Sequence, residues 1–125
     1  MLIIDKILGP IETRTILLVC SKTHEAVLID PSFYSFRVFS SLIQEKSYKI
    51  QKILLTHSHY DHIVDMAKFC NLGIPLYVHP LDKKNVIAPG SDGLRSFKTI
   101  EAVSDPQFFQ EGDKILFGEV EGVVL

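Results

Sequence analysis

The chain has 125 residues, 46% of them hydrophobic and 22% charged, with thirteen Lys and Arg against fifteen Asp and Glu for a formal net charge of −2. That suffices for a single domain with a modest core and leaves no basic face of the kind nucleic acid selects. Asp5 and Lys6 break the opening "MLIIDKIL" where a signal peptide needs unbroken apolar sequence. No apolar run approaches the roughly 18 residues of a membrane span, so neither a membrane nor a nucleic-acid partner is expected, and the cytoplasm is the expected compartment. Cys20 and Cys70 are too far apart in sequence for a CxxC pair, which argues against a disulfide framework and a thiolate zinc site.

The N-terminal third reads as strands. "TILLVC" (Thr15–Cys20) and "AVLID" (Ala26–Asp30) are apolar runs joined by the polar "SKTHE", a hairpin connection. Pro31 ends the second run, since it lacks an amide to donate and holds its predecessor in extended geometry. From Ser35, "SFRVFSSLIQEK" places Phe36, Phe39 and Ile43, with Val38 and Leu42, at three- and four-residue spacings, which predicts an amphipathic helix. "KILLT" (Lys52–Thr56) predicts a short strand buried on both faces. Ile63, Met66, Ala67 and Cys70 then form one stripe of a second helix, closed by Gly73 and Pro75. "PLYVH" predicts a strand, "PLDKKNVI" a short helix and "APGSDGLRSF" a loop. Gly112-Asp113 reads as a turn before "KILF", and Val123, Val124 and Leu125 look like the inside of a last strand. The alternation of strand and helix after residue 26 predicts an α/β layered sheet in one domain, residues 1–125.

The chemistry concentrates in "ILLTHSHYDHI". Three of the five histidines fall in the six positions from His57 to His62, beside Asp61, at the carboxyl end of the predicted buried strand. Sites in α/β sheets gather at such strand ends, and imidazole and carboxylate are good ligands for zinc and other first-row divalent metals. His57, His59 and Asp61 stand two residues apart, so an extended backbone past Thr56 projects them to one side. His57 and His59 can then share one ion at about 2.0–2.1 Å, and the bend into the next helix can turn Asp61 and His62 toward a second. A capping role for Asp61 or Ser58 explains one residue at a time but not the whole pattern.

"THSHYDH" resembles the HxHxDH signature of the metallo-β-lactamase superfamily. "EAVLIDP" is similar to that family's strand ending in a supporting aspartate, and "EGDKILFGEVEGVVL" to the strand pair that leads toward its next ligand motif. Within the superfamily the lengths and loops look most like the hydroxyacylglutathione hydrolase (glyoxalase II)-like members. The resemblance implies the first half of an αββα sandwich, a mixed sheet with helices packed on it, and hence an incomplete domain. It implies His57 and His59 as ligands of a first metal, Asp61 and His62 of a second, Asp61 as the residue that orients the attacking hydroxide, and Asp30 as support.

The implied cofactor is one or two zinc ions, with iron or manganese as alternatives. The implied activity is metal-dependent hydrolysis of a small-molecule thioester by a metal-held hydroxide. Ser32 stands where the family often has glycine, and Arg14 where it often has asparagine. Relatives continue into a further histidine, a bridging aspartate and another histidine, so two other readings stay open. One is a metal-binding, non-catalytic half-domain completed by another segment or chain, or by a second copy. The other is a structural module that pairs through a sheet edge.

His79 could line the site, although packing at a strand end explains it equally. His24 is expected exposed in its turn, and Tyr60 to shield the metal edge, touch substrate or pack on the helix. Cys20 and Cys70 are expected to fill core space, and Asp113 to form a turn. Gly90 and Gly93 lack the context of a phosphate loop.

Overall fold

Alternating side chains decide the first strands. β1 (Leu2–Leu8) turns Ile4 and Leu8 toward the core and leaves Ile3 and Ile7 exposed, the two-residue period of a strand with one covered face. β2 (Thr13–Val19) pairs antiparallel with β1 and buries Thr13, Thr15, Leu17 and Val19. β3 (Glu25–Ile29) returns antiparallel to β2 through "SKTHE", where Cys20 N–H donates to Glu25 O at 2.8 Å and His24 takes a φ of 63°. These elements belong to a computed structural model that describes residues 1–94, 96 and 98–125. The loop expected over "APGSDGLRSF" therefore lies outside the described residues at positions 95 and 97.

α1 (Ser35–Lys46) is the predicted amphipathic helix. Phe39 is fully buried, and Phe36, Val38, Leu42 and Ile43 pack against the same core. Its first turn is capped from outside, by the Asp65 carboxylate accepting from Phe36 N–H at 3.0 Å. It stops where Ser47 adopts a left-handed φ of 59° and donates to Ile43 O. β4 (Lys49–Leu54) then runs parallel to β3. The strand predicted to be buried on both faces is asymmetric instead: Ile53 and Leu55 are fully covered by helices, whereas Leu54 is half-buried on the opposite face.

The single second helix predicted from Ile63, Met66, Ala67 and Cys70 forms as two short ones, α2 (Tyr60–Ile63) and α3 (Met66–Cys70). The break falls at Asp65, whose N–H donates to Pro31 O at 3.0 Å rather than to the preceding turn and whose carboxylate caps α1. β5 (Leu76–Val78) is parallel to β4. A 3₁₀ turn (Pro80–Asp82) and α4 (Lys83–Ile87) follow. β6 (Gln107–Phe108), unpredicted and exposed, adds a last parallel strand. β7 (Lys114–Phe117) and β8 (Val120–Val123) form a separate hairpin around Gly118-Glu119. Gly118 has a φ of 58°, the positive value a two-residue hairpin loop accepts most easily from glycine.

The result is a mixed six-stranded sheet in the order β1-β2-β3-β4-β5-β6. One face carries α1, α2 and α3 over a core of Leu17, Leu28, Phe39, Ile53, Met66 and Phe69, each worth about 1.5–3 kcal/mol of burial. The other face is covered in its middle by β7–β8, whose Ile115 and Phe117 pack on Cys20 and Val27. Val123 and Leu125, expected inside a strand, are exposed: β8 ends at Val123, and Val124 alone of the three packs on this second cluster. The exposed Arg14–Asp5 pair across β1–β2, at 3.1 Å, contributes about 0–1 kcal/mol. Among the described residues no helix is long and apolar enough to cross a membrane.

Candidate metal centre

At the carboxyl end of β4 the chain leaves the sheet through Thr56–His59 and bends into α2, with His59 at the helix boundary in extended geometry (φ −57°, ψ 144°). His62 N–H donates to His59 O at 2.9 Å and closes the turn. This bend gathers what the sequence spaced out. The rings of His57 and His59 lie 4.6 Å apart and those of His57 and His62 4.0 Å apart, centroid to centroid. His62 Nε2 stands 3.2 Å from Asp61 Oδ2. These contacts chain the four candidates, His59–His57–His62–Asp61, into one cluster. Neither Asp61 nor Ser58 caps α2 with its side chain.

Asp30 organises the cluster from beneath. It follows β3, is 4% exposed and holds a φ of 54°, a left-handed conformation that aspartate tolerates better than most residues. Its Oδ1 accepts from Thr56 N–H at 2.8 Å, and its Oδ2 accepts from the Thr56 hydroxyl at 2.6 Å and from His62 Nδ1 at 2.9 Å. A hydroxyl has one proton. Since Thr56 gives it to Asp30, the 3.0 Å contact with His57 Nδ1 makes His57 the donor there. Both His57 and His62 therefore carry hydrogen on Nδ1, so that Nε2 is the ring atom of each that the Asp30–Thr56 system leaves unengaged.

The pKa values of the two rings shift in opposite directions. Burial, with the neighbouring His62 and His59, lowers the pKa of His57 against the smaller pull of Asp30 and Asp61. Burial also acts to lower that of His62, but the Asp30 hydrogen bond and the charges of Asp30 and Asp61 outweigh it, and the net shift is upward. His62 is bracketed by Asp30 on Nδ1 and Asp61 on Nε2, so a positive charge is favoured on its Nε2 side, whether proton or cation.

Two threonines of β2 hold the acids, and the sequence reading missed both roles. Thr13 Oγ1 donates to Asp61 Oδ2 at 2.6 Å, and Thr15 Oγ1 donates to Asp30 O at 2.7 Å while accepting from Ser32 N–H at 3.1 Å. The available signal was "TRT" at the head of an apolar strand, where two threonines take the inward positions that Leu17 and Val19 continue. The donors, imidazole and carboxylate, thus fit a divalent metal in type. The set is partial, because among the described residues no three His, Cys, Asp or Glu side chains close around a common ion position.

The remaining candidates take other places. His79 is exposed, and its Nδ1 accepts from Leu81 N–H at 3.2 Å. It also borders an apolar cleft of about 690 Å³, between the sheet and β7–β8, that reaches Thr56. His24 is exposed, with its ring edge against Tyr48. The Tyr60 ring packs edge-on against Phe33 at 6.4 Å. Cys20 is buried under the hairpin, and its sulfur accepts from Glu119 N–H at 3.4 Å. Cys70 is half-buried in the main core. Asp113 makes the expected turn, its Oδ2 accepting from Gln110 N–H at 2.9 Å.

A family model described as the Metallo-beta-lactamase superfamily matches residues 9–125. The chain is 31% identical over 108 residues to a Bacillus subtilis (strain 168) protein named "Probable metallo-hydrolase YqgX", covering 84% of this chain and 49% of that protein. Its fold is similar to that of the BLEG-1 B3 metallo-beta-lactamase, with a TM-score of 0.79, 24% identity, and coverage of 96% of this chain and 58% of that one. It is also similar to TTHA1623 in a di-iron-bound form, with a TM-score of 0.69, 28% identity, and coverage of 90% and 56%. The chain spans about half the length of the curated relatives it matches.

Proposed function

Since this chain belongs to the metallo-beta-lactamase superfamily, we propose that His57, His59, Asp61 and His62 are its share of a divalent-metal centre, and that the centre serves hydrolysis of small-molecule thioesters of the hydroxyacylglutathione type. The observation that supports this reading is the Asp30–Thr56–His57 and Asp30–His62 hydrogen-bond system, which engages Nδ1 of two imidazoles and leaves their Nε2 atoms to serve as the proposed ligands. The metal is zinc, as one or two ions, with iron or manganese as alternatives; the di-iron form of TTHA1623 supports a two-ion site. When bound, such an ion acidifies water and polarises an acyl oxygen.

The protein's own part is positional. Asp30 and Thr56 fix two imidazole tautomers. Thr13 holds Asp61 by Oδ2, which leaves Oδ1 to accept a hydrogen bond from the attacking water and align it. Thiolate is a competent leaving group, so no strong general acid is required at the sulfur. The test is hydrolysis of S-lactoylglutathione with and without chelator. His59→Ala is expected to lower turnover at least about 100-fold, since loss of a group that only orients a metal ligand already costs about 10- to 100-fold. Turnover that survives both chelator and His59→Ala would contradict the reading.

The half-length coverage favours a second reading, a metal-binding part-domain whose remaining ligands come from further polypeptide or a second copy. That reading expects metal uptake without thioester turnover, and a solution mass that rises when the completing chain is present.

A further inference from the structure

Ser58, between the two candidate ligands His57 and His59, is 4% exposed and points away from them into a buried polar network. Its hydroxyl donates to Asp82 Oδ1 at 2.7 Å. Asn85 of α4, 5% exposed, donates through Nδ2 to the Ser58 carbonyl and to Ser58 Oγ, and also faces Asp92 Oδ2 at 3.3 Å. On its other side Asn85 Oδ1 accepts from Gly90 N–H at 3.0 Å, Asp92 N–H at 3.4 Å and the Ser91 hydroxyl at 3.4 Å. The helix docks on the core through the next residue, the fully buried Val86. Burying an amide carries a desolvation cost that only complete hydrogen bonding offsets, and here the bonds go to the peptide that links the two histidines.

We propose that Asn85 is a positioning residue for the metal centre: by clamping the Ser58 carbonyl from α4 it fixes the His57–Ser58–His59 turn, and with it the placement of two imidazoles 4.6 Å apart. The inference rests on the metal-centre reading above. Asp30 and Thr56 set which nitrogen of His57 points outward; Asn85 sets where the backbone carries His57 and His59. The sequence offers no motif for this, because Asn85 and Ser58 are 27 residues apart.

Zinc affinity of the chain, read by competition with a chelating dye, tests the clamp. Asn85→Ala is expected to weaken zinc binding about 10- to 100-fold, the usual effect of removing a group that orients metal ligands. Asn85→Asp keeps an acceptor for the Gly90 and Asp92 amides but loses both bonds to Ser58. Its added negative charge by itself favours a cation, so weaker binding in this variant reports lost positioning. Ile87→Ala, which trims an exposed side chain of the same helix outside the Asn85–Ser58 hydrogen bonds, is expected to bind zinc as the unaltered chain does.

Wild-type affinity in both Asn85 variants, or an equal loss in Ile87→Ala, would overturn the proposal. Imidazole NMR shifts of the zinc-free chain supply a readout independent of the metal. Asn85→Ala moves the signals of His57 and His59, whereas Ile87→Ala leaves them. If the unaltered chain takes up no zinc, the centre fails as a metal site, and these shifts still decide whether the clamp exists.

Discussion

Asp30→Asn is expected to weaken metal binding about 10- to 100-fold with little change in backbone, because asparagine accepts a left-handed φ as readily as aspartate does and Asp30 sits at 54°. Every group around this carboxylate is a donor: Thr56 N–H at Oδ1, and the Thr56 hydroxyl and His62 Nδ1 at Oδ2. Either orientation of an amide therefore sets its NH₂ against a donor. With NH₂ in the Oδ2 position, the Thr56 hydroxyl must turn to accept and sends its proton to His57 Nδ1, while His62 Nδ1 must also accept. Both rings then carry hydrogen on Nε2, the atom proposed to ligate. In that orientation one exchanged atom, outside the proposed ligand set, disarms two proposed ligands. The check is dye-competition affinity together with the imidazole ¹⁵N shifts. Unchanged affinity in a variant that folds would contradict the assigned tautomers.

Gly9→Ala is expected to cost about 2–5 kcal/mol. Gly9 follows β1 at a φ of 80°, and a Cβ there would lie 2.8 Å from Cβ and Cδ2 of Phe33 and 2.9 Å from its Cγ. The left-handed backbone accounts for about 1–2 kcal/mol, and displacement of a fully buried ring for about 1–3 kcal/mol. Against a typical stability of about 5–15 kcal/mol, that is a large fraction. Phe33 also carries the Tyr60 ring, so the disturbance reaches the residue between His59 and Asp61. Gly122→Ala is the control: its nearest contact is Ile115 O at 3.8 Å, and a change within about 0.5 kcal/mol is expected. Urea midpoints of the two variants decide; a Gly9→Ala chain as stable as its parent would contradict the packing of Phe33 on this turn.

The sequence was most readable where the relevant interactions are local. The apolar spacing of Phe36, Phe39 and Ile43 belongs to one helix. The crowding of His57, His59, Asp61 and His62 into six positions marks the candidate centre without any knowledge of the sheet. What it hid depends on partners distant in the chain. The stripe Ile63–Cys70 has unbroken helical periodicity, yet Asp65 interrupts it to cap a helix 29 residues earlier. Thr13 lies before the strand predicted from Thr15, and only the fold sets it against Asp61, 48 residues on. Asn85 looks like an ordinary polar residue of a short helix. Gln107–Phe108 is a strand only because β5 offers an edge, and two exposed residues carry no period to detect.

The most direct measurement is metal content per chain, by elemental mass spectrometry, for untagged protein equilibrated with zinc, iron or manganese and then desalted, beside His57→Ala. The account predicts near-stoichiometric metal in the unaltered chain and its loss in the variant. A folded chain that retains no metal, or that retains as much after His57→Ala, would contradict it.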